Sequence, residues 1–158
     1  MPIRIGLGHD THRTTTGGPL RLGGISIDCD FHLVGHSDAD VLLHAVTDAL
    51  LSAAGLPDIG QLFPDNAAEN RGRDSGEMLS LAWKKVRDAG WNLVNLDCVV
   101  LAQRPKLSPH KEQIREQIAK LLAVSSDQIG LKGKTGEGVG EVGRSEILQA
   151  ICVALLEK

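Results

Sequence analysis
The segment Gly35-His36-Ser37-Asp38-Ala39-Asp40-Val41-Leu42-Leu43-His44-Ala45-Val46-Thr47-Asp48-Ala49-Leu50-Leu51 decides how the chain is read. From Asp40 onward, Val41, Leu42, Ala45, Val46, Ala49, Leu50 and Ala53 recur at helical spacing and cover a wide apolar face. Asp40, His44 and Asp48 recur every four residues, which predicts a shared polar edge on that helix. Ser37 has the chemistry of an N-cap, and Asp40 three residues on resembles the acid of a capping box. Gly55 is a natural stop. His44 is therefore expected to look away from the deepest core, toward whatever lies beside the helix.

The neighbour of that edge is sought in the N-terminal segment. Ile3, Ile5 and Leu7 alternate with Arg4 and Gly6, a strand pattern that runs into Gly8-His9-Asp10-Thr11-His12. In an extended chain, residues two apart point to the same side, so Asp10 and His12 converge on one point. Asp10, His12 and His44 then supply three nitrogen and oxygen ligands, the set with which a catalytic zinc site leaves its fourth position open. His9, His12, His32 and His36 all precede His44 closely, a clustering that favours this reading. The same residues also fit a capped turn with a surface histidine, and spacing alone leaves both open.

Outward from this pair of segments, Thr14 to Gly18 is predicted as a polar turn. Leu20, Leu22, Ile25 and Ile27 predict a β-hairpin broken at Gly23-Gly24. Residues 57–65 form a loop punctuated by prolines, and the polar run from Asn66 to Arg73 is expected to be mobile. Asp74-Ser75 caps a second helix ending at Gly90. Leu93 to Ala102 is a buried-type strand closed by Pro105. Ser108-Pro109 opens a third helix reaching about Ala123, and Ile129 to Lys134 is a short strand. A Gly-rich segment, 133–143, carries Lys134, Thr135, Glu137 and Glu141. Backbone N–H groups in such loops bind phosphate oxygens, and Glu137 suits a hard divalent cation; a plain exposed loop fits as well. The P-loop spacing is absent. For Ile147 to Leu156, periodicity does not separate helix from strand. The element order predicts one α/β or α+β domain over residues 1–158.

Bulk properties narrow the function classes. The chain has 158 residues, enough for one sizeable core, and 42% apolar residues, which excludes a disordered chain. Net charge is −3 with no basic stripe, which argues against a nucleic-acid binder. No apolar run reaches the length of a membrane span. The start lacks the apolar core of a signal peptide. Cys29, Cys98 and Cys152 are widely spaced, which predicts reduced, buried thiols in a cytoplasmic chain, or one of a plastid-type organelle if a transit peptide has been removed.

Four segments taken together carry a resemblance. They are Gly-His-Asp-Thr-His (8–12), Gly-His-Ser-Asp-Ala-Asp-Val-Leu-Leu-His (35–44) with its helical continuation to 51, Asp-Ile-Gly-Gln-Leu-Phe-Pro-Asp (58–65) and Arg-Pro-Lys-Leu (104–107). In order and spacing they closely resemble the 2-C-methyl-D-erythritol 2,4-cyclodiphosphate synthase family of the non-mevalonate isoprenoid pathway. The resemblance implies a mixed β-sheet with helices packed on one face, a strand for Ile147 to Leu156, and a homotrimer with active sites between subunits. It implies Zn2+ on Asp10, His12 and His44, the first two also touching substrate. A second cation, Mg2+ or Mn2+, would lie between the substrate phosphates on Glu137. His36 and Ser37 match the pair at the phosphates, with His36 and Thr135 assisting the transition state. Asp58 and Gly60 match the ribose loop, and Phe63 and Asp65 the methylerythritol loop. Pro105 and Lys106 match the cytosine wall, and Arg144 an arginine near the phosphates. The implied reaction closes 4-diphosphocytidyl-2-C-methyl-D-erythritol 2-phosphate into a cyclic diphosphate and releases CMP, with no nucleic acid or membrane partner. A metal-dependent phosphohydrolase acting on a nucleotide diphosphate is the competing reading. The chain departs from the family at His9, where a hydrophobe is usual, at Lys134 and Gly136 around Thr135, and at Glu141-Val142, where Phe-Thr is usual. Lys134 adds a positive charge near the diphosphate.

Overall fold
A computed structural model describes residues 1–158. Seven strands and five helices follow one another along the chain. Strand β1 spans Ile3–Thr16, β2 Leu20–Leu22, β3 Ile25–Ile27 and β4 Phe31–Leu33. Helix α1 spans Val41–Ala54 and the single turn α2 spans Ile59–Leu62. Helix α3 (Ser75–Asp88), strand β5 (Asn92–Leu101), helix α4 (Lys111–Leu122) and strand β6 (Ile129–Lys134) come next. A one-turn helix α5 (Gly140–Gly143) and strand β7 (Ile147–Glu157) close the chain. Five strands form one sheet in the order β4-β1-β7-β5-β6, with β2 and β3 a separate hairpin. Only β5 and β6 run parallel. The mixed sheet implied by the resemblance is present, and Ile147 to Glu157 is its central strand.

Helix α1 is the centre of the molecule. Its residues Val41, Leu42, Ala45, Val46, Ala49 and Leu50 are fully buried. The sheet covers one side through β1 and β7, α3 another, and the β2–β3 hairpin closes it with Leu20, Leu22, Ile25 and Ile27. Such a helix is apolar nearly all round because it has almost no solvent side. The α3–α4 pair is tied by the Trp83 Nε1–H, which donates to the Leu122 carbonyl at 2.8 Å.

Strand β1 reverses the usual pattern. Its alternation is as predicted, but Ile3, Ile5 and Leu7 face outward at 65%, 73% and 62% exposure, while Gly6 and Gly8 face α1. A Cβ on Gly8 would overlap the Ala45 carbonyl oxygen and lie 2.6 Å from the Ala49 nitrogen. One on Gly6 would overlap the backbone of Ala49 and Ala53. Strand and helix therefore meet backbone to backbone, with glycine on one side and alanine on the other.

Several local readings need correction. Ser37 does not cap α1: Ala39 has φ 58, outside any helix, and Asp40 is the N-cap, accepting from the Leu43 N–H. Asp40 is not on a solvated edge either. It is fully buried, and its two oxygens also take the Gly23 and Gly24 N–H groups at 2.9 and 2.8 Å, fastening the hairpin turn to the helix. Burial pushes its carboxyl up, and these three N–H groups pull against that. The predicted turn at Thr14 begins later, since β1 pairs with β4 through Thr16. The Asn66–Arg73 run holds a buried Asn70 whose Nδ2 donates to the Pro64 carbonyl at 2.9 Å. Cys98 and Cys152 are buried free thiols facing each other across β5 and β7, whereas Cys29 is only half-buried.

Gly8→Ala tests the backbone contact. It is expected to lower stability by at least about 2 kcal/mol, the cost of forcing a methyl into a packed interior, read from urea unfolding midpoints. An unchanged midpoint would mean that β1 and α1 are not in direct contact.

Candidate active site
The contact between β1 and α1 sets the site. Beyond Gly8, the inward side of β1 carries Asp10 and then His12, and α1 presents His44 one turn after its N-cap. Asp10 Oδ2 lies 2.9 Å from His12 Nε2 and 3.1 Å from His44 Nδ1, and the two ring nitrogens are 3.4 Å apart. Tetrahedral ligand atoms bonded to zinc at about 2.0–2.1 Å stand about 3.3 Å from one another. The three atoms therefore fit one ion of that size with little movement, and this is the one His/Cys/Asp/Glu cluster that is so arranged.

Each ring is oriented by its other nitrogen. His12 Nδ1–H donates to the Val34 carbonyl at 2.8 Å. His44 Nε2 lies 2.8 Å from Ser75 Oγ and 3.1 Å from Ser37 Oγ. Burial acts to raise the Asp10 carboxyl, but hydrogen bonds and charge from His12 and His44 outweigh it and hold the group down at about 2. Burial likewise acts to lower His12, while Asp10 and the Val34 carbonyl lift it above its ordinary value. Asp10 is thus a ready anionic ligand.

A cleft of about 250 Å³ opens on this cluster. It brings Asp10, His12 and His44 together with His36, Ser37, Gly60, Phe63 and Asp65. The loop that supplies Gly60 and Phe63 is held by α2, where Asp58 and Gln61 form a reciprocal capping box. Asp48, half-buried one turn beyond His44, accepts the Ile59 N–H at 2.7 Å. Arg73 lies over the Phe63 ring at 4.9 Å.

Pro105, Lys106, Lys134 and Thr135 do not join that cleft. They line a second one of about 260 Å³ with Val100, Gln103 and Lys111. Asp58 turns its side chain to the α2 cap and borders neither cleft. Glu137 and Arg144 also border neither; Glu137 is exposed with φ 55, and Arg144 is paired with Glu146 at 2.7 Å. Within one chain the site residues named from sequence thus fall into two clefts and three outliers.

Several residues escaped the sequence reading. Gln103 Oε1 accepts the N–H groups of Gly136 and Gly138 at 3.3 and 3.2 Å, which folds the loop carrying Thr135 and Glu137. Its signal was its place beside Arg104-Pro105. Ser75 and Asp38 both stand in segments already singled out, Ser75 as a helix starter and Asp38 with no role of its own. The Val34 carbonyl has no side-chain signal at all.

Comparison with known proteins now decides the family. The model of the YgbB family matches residues 3–157. The 2-C-methyl-D-erythritol 2,4-cyclodiphosphate synthase of Rhodopirellula baltica is 54% identical over 158 residues, covering 100% of this chain and 95% of that protein. This chain belongs to the YgbB family. The synthase of Chromobacterium violaceum is 52% identical over 154 residues, 98% of each chain. Among solved structures, a 2C-methyl-D-erythritol-2,4-cyclodiphosphate synthase in its CDP-bound form superposes with TM-score 0.90 at 42% identity, covering 98% of this chain and 100% of the other. The Plasmodium falciparum protein in complex with CDP gives TM-score 0.86 at 34% identity, covering 98% and 95%. The bifunctional protein of Campylobacter jejuni gives TM-score 0.94 at 40% identity, and the chain spans 42% of its length. The fold of these solved structures thus covers 98% of this chain, with the Asp-His-His cluster in place.

Two outcomes check this geometry. Offered zinc as a probe ion, the His44→Ala chain is expected to retain far less after dialysis than the unaltered chain, because the cluster is left with two ligands; equal retention would refute the ligand set. Gln103→Ala is expected to speed hydrogen exchange at the Gly136 and Gly138 amides severalfold, read by mass spectrometry.

Proposed function
We propose that this chain is a 2-C-methyl-D-erythritol 2,4-cyclodiphosphate synthase, a phosphorus–oxygen lyase of isoprenoid biosynthesis. It converts 4-diphosphocytidyl-2-C-methyl-D-erythritol 2-phosphate to the cyclic diphosphate and CMP. The observation that carries this is the convergence of Asp10, His12 and His44 beside His36 and Ser37 in a chain whose residues 3–157 match the YgbB family.

An oxygen of the 2-phosphate attacks the β-phosphorus. The bond from that phosphorus to the bridging oxygen breaks, and CMP leaves with the electron pair. The nucleophile is already an anion, so no strong base is required, and the rate comes from positioning and from balancing charge. Zinc on Asp10, His12 and His44, and Mg2+ or Mn2+ on Glu137, supply Lewis-acid neutralisation when bound. His36 and Thr135 donate to phosphoryl oxygens in the transition state, with Ser37, Lys134 and Arg144 holding the phosphates. Asp58 and Gly60 take the ribose, Phe63 and Asp65 the methylerythritol, and Pro105 and Lys106 the cytosine.

The two clefts are read as halves of one site completed between subunits of a homotrimer. The outward apolar row Ile3, Ile5 and Leu7, continued by Ile151 and Val153 on β7, supports burial of this sheet face against other copies. On this reading the protein is a cytoplasmic enzyme of one domain over residues 1–158 that works without nucleic acid or membrane partners. No helix is long and apolar enough to cross a membrane.

The assay is direct. Incubation with the cytidyl substrate and divalent cation is expected to yield CMP and the cyclic diphosphate in equal amounts. CMP without the cyclic product would sink this reading and leave the phosphohydrolase.

A further inference from the structure
We propose that Ser75 and Asp38 are positioning residues for the metal: they hold the His44 ring so that a bare Nδ1 points at Asp10 and His12. The inference rests on the three-ligand metal reading and not on the cyclisation.

A neutral imidazole has one protonated nitrogen and one lone pair. The lone pair must sit on Nδ1, the atom 3.1 Å from Asp10 Oδ2. Nothing in His44 itself ensures this. Asp10 by itself pulls the other way, since a proton on Nδ1 would donate to its carboxylate and close the site. The opposing force comes through Nε2, which meets Ser75 Oγ at 2.8 Å. A hydroxyl both donates and accepts, so Ser75 alone does not choose. Asp38 chooses. Its carboxylate only accepts, and its Oδ1 takes the Ser75 hydroxyl proton. Ser75 Oγ then has only lone pairs left for His44, so Nε2 must carry the proton and donate it.

The parts of this chain of bonds are fixed. Ser75 is fully buried at the first turn of α3. Its own N–H donates to Asp38 Oδ2 at 3.1 Å, and the Asp40 N–H donates to Asp38 Oδ1 at 3.2 Å. The backbone is stitched alongside: Asp38 N–H donates to the Arg73 carbonyl at 3.1 Å, and Gly72 N–H to the His36 carbonyl at 2.7 Å. His12 receives the same service from the Val34 carbonyl. A carbonyl cannot donate, so it needs no third group; a serine does. Ser37 is a weaker acceptor for Nε2, since it is farther away at 3.1 Å and already takes the Ala39 N–H.

The test is zinc affinity of the full chain by chelator competition, without substrate. Ser75→Ala is expected to weaken binding roughly 10–100-fold, the usual effect of removing an outer partner of a ligating histidine. Asp38→Asn should weaken it in the same direction, because an amide can donate to Ser75 and reverse the bond. Ser75→Thr keeps the hydroxyl and should stay near wild type. NMR of the zinc-loaded wild type should show a slowly exchanging His44 Nε2–H, a readout that no variant's folding affects. Ser75→Ala binding within a factor of about two of wild type would overturn the proposal, as would zinc on Nε2. An equal loss in Ser37→Ala would also overturn it by giving the role to Ser37. Wild type that takes up no zinc would instead refute the ligand set. Wild type that binds zinc in this graded way but forms no cyclic product would refute the proposed reaction and leave this inference standing.

Discussion
The site depends on one steric constraint: β1 lies on α1 with no side chain between them. Glycine at 6 and 8 against alanine at 45, 49 and 53 brings the two backbones together. Two residues further along the same side of β1, the small residues give way to Asp10 and His12. The separation already fixed by the glycines is what puts their ligand atoms within about one zinc tetrahedron of His44. A larger residue at either glycine would push the strand out, and the ligands would move with it. The metal cluster is in this sense an extension of the core packing rather than an addition to its surface.

That position carries a cost in buried polarity, and the molecule meets it with carboxylates. Asp40 and Asp38 stand two residues apart before α1 and work in different directions. Asp40 looks inward, capping the helix and fixing the β2–β3 turn. Asp38 looks across to α3, taking both the N–H and the hydroxyl of Ser75. No buried side-chain nitrogen or oxygen is left without a partner. Since an unpaired buried polar group costs about 1–3 kcal/mol, these bonds decide where the loop 35–40 can lie. The positive φ of Ala39 is the turn that lets consecutive carboxylates face opposite ways.

Much of this was legible from residue order. The α1 pattern, its stop at Gly55, the hairpin at Gly23-Gly24 and the convergence of Asp10 with His12 follow from periodicity and turn chemistry, which act over a few residues. What misled was also local. Ser37 and Asp40 have the spacing of a capping box, but the chain places Asp40 as the cap because the hairpin turn at Gly23-Gly24, two strands earlier, needs its oxygens. Gln103, Ser75 and the Val34 carbonyl could not be read at all, since their partners are distant in sequence and one is backbone. The strand character of Ile147 to Glu157 was open on periodicity, because the outward positions Ile151 and Val153 are apolar like the buried ones between them, which hides the alternation.

The inverted pattern of β1 links the site to assembly. A strand that gives its inner side to glycine and metal ligands has nowhere to put its large apolar residues except outside. Ile3, Ile5 and Leu7 are therefore exposed for the same reason that Asp10 and His12 meet His44. Exposed apolar rows of this kind on paired strands call for a covering surface. The Pro105–Thr135 cleft, carried at the other end of the sheet by β5 and β6, lacks a metal cluster of its own. Packing copies through the β1–β7 face would cover the apolar row Ile3, Ile5 and Leu7.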